Sequence, residues 1–163
     1  DRSIEALDSA LRRRFEFEKM LPDYNLIDKE LDNEGFEGHK LSEILRTMNE
    51  RITILINRDH QIGHSYFLKL SKSKEIEQDL RYVFIKEIIP LLQEYFFNDY
   101  TKIAMVIGEG FMDKRRYSHV KFAHNAGDYD SEYNDVFYEI NENPNFSEAI
   151  KLLMGEKEDE KTD

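Results

Sequence analysis

Between Leu41 and Ile56 the apolar residues Leu41, Ile44, Leu45, Met48, Ile52, Leu55 and Ile56 recur at three- and four-residue steps. That spacing gathers them into one stripe of an α-helix, and such a stripe is stable only when other elements cover it. The chain must therefore build a helical core around this segment. Glu43, Arg46, Glu50 and Arg51 fall outside the stripe and read as a solvated face.

The flanking sequence supplies the covering elements. Met20-Leu21-Pro22-Asp23 marks a domain edge, because proline fixes its own φ and turns the preceding residue away from helix. Asn25 to Leu31 can form a short helix, and Asn33 to Gly38, with two glycines, reads as a polar loop. Lys69 to Lys74 reads as a basic linker before a long helical zone that opens near Glu75. In that zone Leu80, Val83, Phe84, Ile88, Leu91, Leu92, Tyr95 and Phe96 keep a helical period, but Pro90 has to interrupt or kink it. Two helices meeting near Ile89 are expected. Asn98-Asp99 can cap a further helix, Tyr100 to Ile107, which Gly108 ends. The large aromatics here are expected in the core rather than as platforms for a ligand.

Past Gly108 the pattern weakens. GEGFMDKRR carries two glycines and a basic run without the Gly-Lys-Ser/Thr of a phosphate-binding loop, so it reads as a plain loop. Lys114-Arg115-Arg116-Tyr117 is its local basic patch. Tyr117 to Asp135 is irregular in composition. Its acids Asp128, Asp130 and Glu132 lack the glycine and closing glutamate of a calcium loop, which favours a solvated loop. Val136 to Ile140 can be a strand. Asn145 can cap a last helix with Phe146, Ile150 and Leu153 on one side, and Glu156 to Asp163 is a charged, frayed end.

Composition narrows the function classes. The chain has 163 residues, enough for one ordinary domain with appendages, and a formal net charge of −11 from 34 acidic and 23 basic residues. That balance disfavours a dedicated nucleic-acid surface, which needs a basic footprint. With no cysteine there are neither disulfides nor thiolate metal sites, which fits a reducing, cytoplasmic setting. No apolar run is long enough to cross a bilayer, and no membrane partner is expected.

Two stretches carry chemistry. The first is Asn57 to Phe67, NRDHQIGHSYF. His60 and His64 stand four apart as in the zinc-protease pattern H-E-x-x-H, yet Gln61 replaces the general base and Gly63 weakens the helix the pattern needs. No metal site is expected. Gly63 instead permits a turn, with a new helix starting at or near Ser65, where unpaired N–H groups make a natural neighbour for phosphate. The alternative is a histidine that caps or packs between helices. The second stretch is the opening, DRSIEALDSALRRRFEF. Leu7 to Leu11 predicts a short helix delivering Arg12, Arg13 and Arg14 at its C-terminal end, followed by the two-residue period of a strand at Phe15 to Phe17. Cations there also complement the helix dipole with no further role.

The string DRS, LD and ALRRRF resembles the end of an AAA+ nucleotidase core, in particular the McrB type, the GTP-preferring subunit of modification-dependent restriction systems. DRDHQIGHSYF and IIPLLQEYF are similar to parts of that family's helical lid, so the resemblance covers roughly residues 1–108. It implies a mainly α fold. Residues 1–20 would be a short helix plus strand left from the α/β core, 21–108 the lid, and 109–163 a C-terminal extension. It implies a ring, such as a hexamer, of identical subunits, with GTP or ATP and Mg2+ between neighbours. Arg14 would be the arginine finger and Arg13 its helper. Asp1, Arg2, Gly63, His64 and Ser65 would lie beside the nucleotide, with His64 nearest. A nuclease subunit is the implied partner, and DNA would be met through other domains. The Met-Asn that precedes DRS in the family is not in this sequence, nor are a P-loop and Walker-B acids, so the chain reads as a fragment. By itself it is expected to bind no nucleotide tightly and to have no turnover. A helical protein-interaction module, or the lid of another AAA+ remodelling ATPase, remains the alternative reading.

Overall fold

The computed structural model describes residues 21–32, 34–116 and 136–156. The expected helix and strand of residues 1–20, the segment Tyr117 to Asp135 and the end beyond Glu156 lie outside the described residues.

The described residues form a mainly helical body around one long helix. Asp23 caps α1 (Tyr24–Glu30), its carboxylate accepting from the Leu26 N–H at 3.0 Å. The polar loop expected next contains a small hairpin, β1 (Gly35–Phe36) paired antiparallel with β2 (His39–Lys40). Helix α2 (Leu41–Leu55) follows directly, and the Lys40 N–H donates to the Glu43 carboxylate at 3.1 Å to hold its first turn. Leu41, Ile44, Leu45, Met48 and Ile52 are fully buried, while Leu55 and Ile56 at the end of the stripe are only half-buried.

After a 3-10 turn (Arg58–His60), a short α3 (Ser65–Leu68) runs on as a second 3-10 turn, Lys69–Lys72. The basic linker expected there is thus partly helical, because Leu70 is buried and anchors it. Helix α4 (Ile76–Val83) passes through a π turn, Phe84–Ile88, into α5 (Ile89–Tyr95). The interruption required by Pro90 arrives as this wider turn. It makes an i to i+5 bond from the Ile89 N–H to the Phe84 carbonyl just before the residue that has no N–H to give. Asp99 then caps α6 (Tyr100–Ile107), accepting from the Lys102 N–H at 3.1 Å.

The expected loop at GEGFMDKRR is instead a 3-10 turn (Glu109–Phe111) and a strand, β3 (Met112–Arg116), antiparallel to β4 (Val136–Ile140). Asn145 caps the last helix, α7 (Phe146–Met154), whose Phe146, Ile150 and Leu153 are buried. Residues on both sides of Gly108 share one core. Phe84 stacks on Phe111 at 5.3 Å and meets the edges of Phe67 and Phe146 at 6.4 and 5.7 Å. The two segments also meet backbone to backbone. A Cβ on Gly110 would lie 2.5 Å from the Ala149 Cα, so only glycine allows α7 this close.

Arg51, expected on the solvated face, is half-buried. Its guanidinium donates to the Val106 carbonyl at 2.7 Å and the Leu153 carbonyl at 2.8 Å, satisfying the C-terminal turns of α6 and α7 at once. Burial pulls its pKa below the usual arginine value. No helix among the described residues is long and apolar enough to cross a membrane.

Candidate functional site

Asp1, Arg2, Arg13 and Arg14 lie outside the described residues. Ser65 opens α3, and Gly63 and His64 lie in the loop of residues 57–64, where side chains hold the chain around and after the 3-10 turn Arg58–His60.

Asn57 starts it. Its Oδ1 accepts from the Asp59 N–H and from the His60 Nδ1, both at 2.8 Å, closing a turn around its own amide. A carbonyl oxygen can only accept, so Nδ1 of His60 carries the proton there. The His60 ring also meets the Tyr95 ring edge-on at 5.1 Å. Burial, followed by the charges of Tyr66 and Glu94, raises the Tyr95 pKa and keeps that phenol neutral.

Next, Ile62 is buried and both of its backbone groups pair with Asn49. The Ile62 N–H donates to Asn49 Oδ1 at 2.6 Å, and Asn49 Nδ2 donates to the Ile62 carbonyl at 2.9 Å. Asn49 Nδ2 also reaches the Tyr24 hydroxyl at 3.2 Å. Behind it, Thr53 donates to the Asn49 carbonyl at 2.7 Å, and Gln61 Nε2 donates to Thr53 Oγ1 at 2.9 Å. Asn49 was missed in the sequence, although it interrupts the apolar run between Met48 and Ile52, where a polar residue must find buried partners.

His64 is the N-cap of α3, half-buried, and its carbonyl accepts from the Phe67 and Leu68 N–H groups. Its Nδ1 accepts from the Asp23 N–H at 3.0 Å, so the neutral ring carries its proton on Nε2. The two imidazoles thus have separate partners, His60 donating through Nδ1 and His64 accepting at Nδ1. Ser65 is exposed. Gly63 has no left-handed φ, and a Cβ there would meet only Ser65 Oγ at an ordinary 3.6 Å. The expectation that glycine is what permits this turn is therefore corrected: the pairing of Ile62 with Asn49 makes the turn. Likewise α3 has four residues, too few to build the aligned dipole that draws phosphate to a helix start. The side-chain donors on this surface include the exposed Ser65 hydroxyl and the His64 Nε2–H.

Elsewhere the basic patch is partly neutralised. Arg115 pairs with Glu139 at 2.8 Å, and the Lys114 ammonium lies 5.7 Å from the Tyr138 ring centre. Among the described residues no group of three or more His, Asp or Glu side chains is placed to hold a metal ion. An imidazole N–H suits a phosphate oxygen, but the described residues supply no carboxylate set for Mg2+.

Residues 40–104, which hold α2 through most of α6 and the whole His60–His64 loop, match the family described as the alpha-helical lid domain of McrB. They form a McrB-type lid. The chain is also 35% identical over 111 residues to the Type IV methyl-directed restriction enzyme EcoKMcrB subunit of Escherichia coli strain K12, an alignment covering 61% of this chain and 24% of that protein. The chain spans about a quarter of that relative's length. The mainly α fold expected from the resemblance is the one observed. Asn49, His60, Gly63, His64 and Ser65 all belong to the matched lid segment, whereas Asp23, Phe111 and α7 lie outside it.

Proposed function

We propose that this chain is the lid-bearing part of a McrB-like nucleotidase, one that prefers GTP over ATP and powers a DNA restriction complex. The reading rests on the match of residues 40–104 to the McrB lid. The Asp23 N–H holds the His64 ring of that segment at 3.0 Å, which leaves Nε2 as the ring's donor. Residues 1–20 are then the end of the α/β core, 21–108 the lid and 109–163 an extension carried on it.

In this reading nucleotide lies between neighbouring subunits of a ring. Arg14 reaches the terminal phosphate of the adjoining subunit, and Arg13 assists. A guanidinium suits the task because its charge is permanent and its planar fork matches two oxygens as negative charge moves outward. Such a finger accelerates hydrolysis by about three to five orders of magnitude, roughly 4–7 kcal/mol of barrier. Asp1 and Arg2 stand beside the same nucleotide. From the lid, His64 donates through Nε2 toward a phosphate or ribose oxygen, and Gly63 and Ser65 line that approach. Mg2+, bound with the nucleotide by residues of the intact core, would neutralise phosphate charge. A lid that follows directly on the core can swing as phosphate leaves and pass that motion to a nuclease partner.

The test is Arg14→Ala in the intact protein. Turnover should fall by about 10³-fold or more while nucleotide affinity stays within a few-fold and the ring still assembles. If turnover is unchanged and binding of a partner protein is lost instead, the chain is an interaction module. This chain alone should show no turnover, and steady hydrolysis by it would contradict the proposal.

A further inference from the structure

We propose that Asn49 is the positioning residue of the lid's nucleotide-facing loop, acting on His64 from both sides; the inference rests on the reading of His64 given above. Asn49 has no exposed surface, and its one carboxamide is spent on two different segments. On one side it takes both backbone groups of Ile62, at 2.6 and 2.9 Å, two residues before His64. Pairing with the N–H and the carbonyl of one residue fixes the rotation of that residue as well as its place, and so sets the direction in which the chain enters α3. On the other side it donates to the Tyr24 hydroxyl at 3.2 Å. Tyr24 adjoins Asp23, whose N–H is the partner of His64 Nδ1. One amide therefore registers the segment that bears the imidazole against the segment that orients it. The outer bonds from Thr53 and Gln61 close the same network on the solvent side.

A neutral imidazole is useful as a donor only while its other nitrogen is held, because that bond selects the tautomer and aims Nε2. Loss of Asn49 frees the ring to rotate and to change tautomer without touching the nucleotide itself. The effect belongs in nucleotide binding, with the hydrolytic step at Arg14 left alone.

The experiment is a double-mutant cycle in the intact, ring-forming protein, reading KM and kcat for GTP together with the thermal midpoint. Asn49→Asp keeps the shape and the acceptor, removes the bond donated to the Ile62 carbonyl, and turns the Tyr24 hydroxyl from acceptor to donor. Tyr24→Phe removes one hydroxyl and leaves the ring under the Arg46 guanidinium, so it serves if the first variant does not fold. His64→Gln completes the cycle. Each single change should raise KM by about two- to tenfold, the weight of one or two hydrogen bonds, with kcat changed less than twofold. Combined with His64→Gln, the Asn49 or Tyr24 change should add nothing further to KM. If the effects multiply, Asn49 acts on stability and not through His64, and the proposal fails while the reading of His64 stands. If His64→Gln leaves KM unchanged, the reading of His64 falls and this inference falls with it.

Discussion

Glu37 shows how a single residue can be kept in an unfavourable backbone for what its side chain reaches. It and Gly38 both have positive φ, +50° and +78°, forming the two-residue turn between β1 and β2. At the first of these positions Asn, Asp or Gly would be easier. Glutamate is long enough to cross to α7, where it accepts from the Ser147 hydroxyl and pairs with Lys151 at 3.2 Å. These partners, the Ser147 bond foremost, hold its pKa below the usual 4.5 despite some burial. A depressed carboxylate pKa means that folding favours the ionised form, so the contribution is complete above about pH 4.5 and is lost as pH falls through the lowered value. Thermal melts from pH 7 to 3 should show a smaller acid-side loss for Glu37→Gln than for the parent, and equal losses would contradict this role. Nothing in the sequence announced the contact, because it joins residues more than a hundred positions apart.

At the scale of elements, α2 is the axle and Arg51 its pin. Two C-terminal carbonyls, one from α6 and one from α7, converge on one guanidinium. Hydrogen bonds to a charged group are each worth about 1.5–3 kcal/mol, so Arg51→Met, which keeps the apolar stem but loses two of them, should lower stability by about 3–6 kcal/mol. A shifted urea midpoint with unchanged slope would register it; an unmoved midpoint would show that water satisfies those carbonyls equally well. The stripe from Leu41 to Ile52 and the caps at Asp99 and Asn145 could be read directly, since periodicity and capping are local signals. Arg51 could not, because a basic residue beside an apolar stripe looks solvated until other helices end against it. β3 was hidden for a related reason. Two glycines and the charges of Met112–Arg116 argue for a loop, and only β4, arriving from far along the chain, supplies the ladder that overrides them. Phe97, held at φ +51° with its ring exposed after α5, has no local signal either.

For the whole molecule, the described residues bind the McrB-type lid to elements outside it. The aromatic group of Phe67, Phe84, Phe111 and Phe146 spans the matched segment and the residues after it, and Asp23 joins the residues before it. Within the candidate site, the histidine loop could be located from its residues, but its support from Asn49 and Asp23 needed the fold. The central claim, that subunits complete each other's sites, is tested most directly by mixing two variants of the intact protein. One carries Arg14→Ala, and the other is disabled in its own phosphate-binding loop. Each alone should be nearly inactive, and mixed rings should regain a substantial part of GTP turnover, because some interfaces unite a sound loop with a sound Arg14. Mixed rings that assemble yet stay as inactive as either parent would contradict the account.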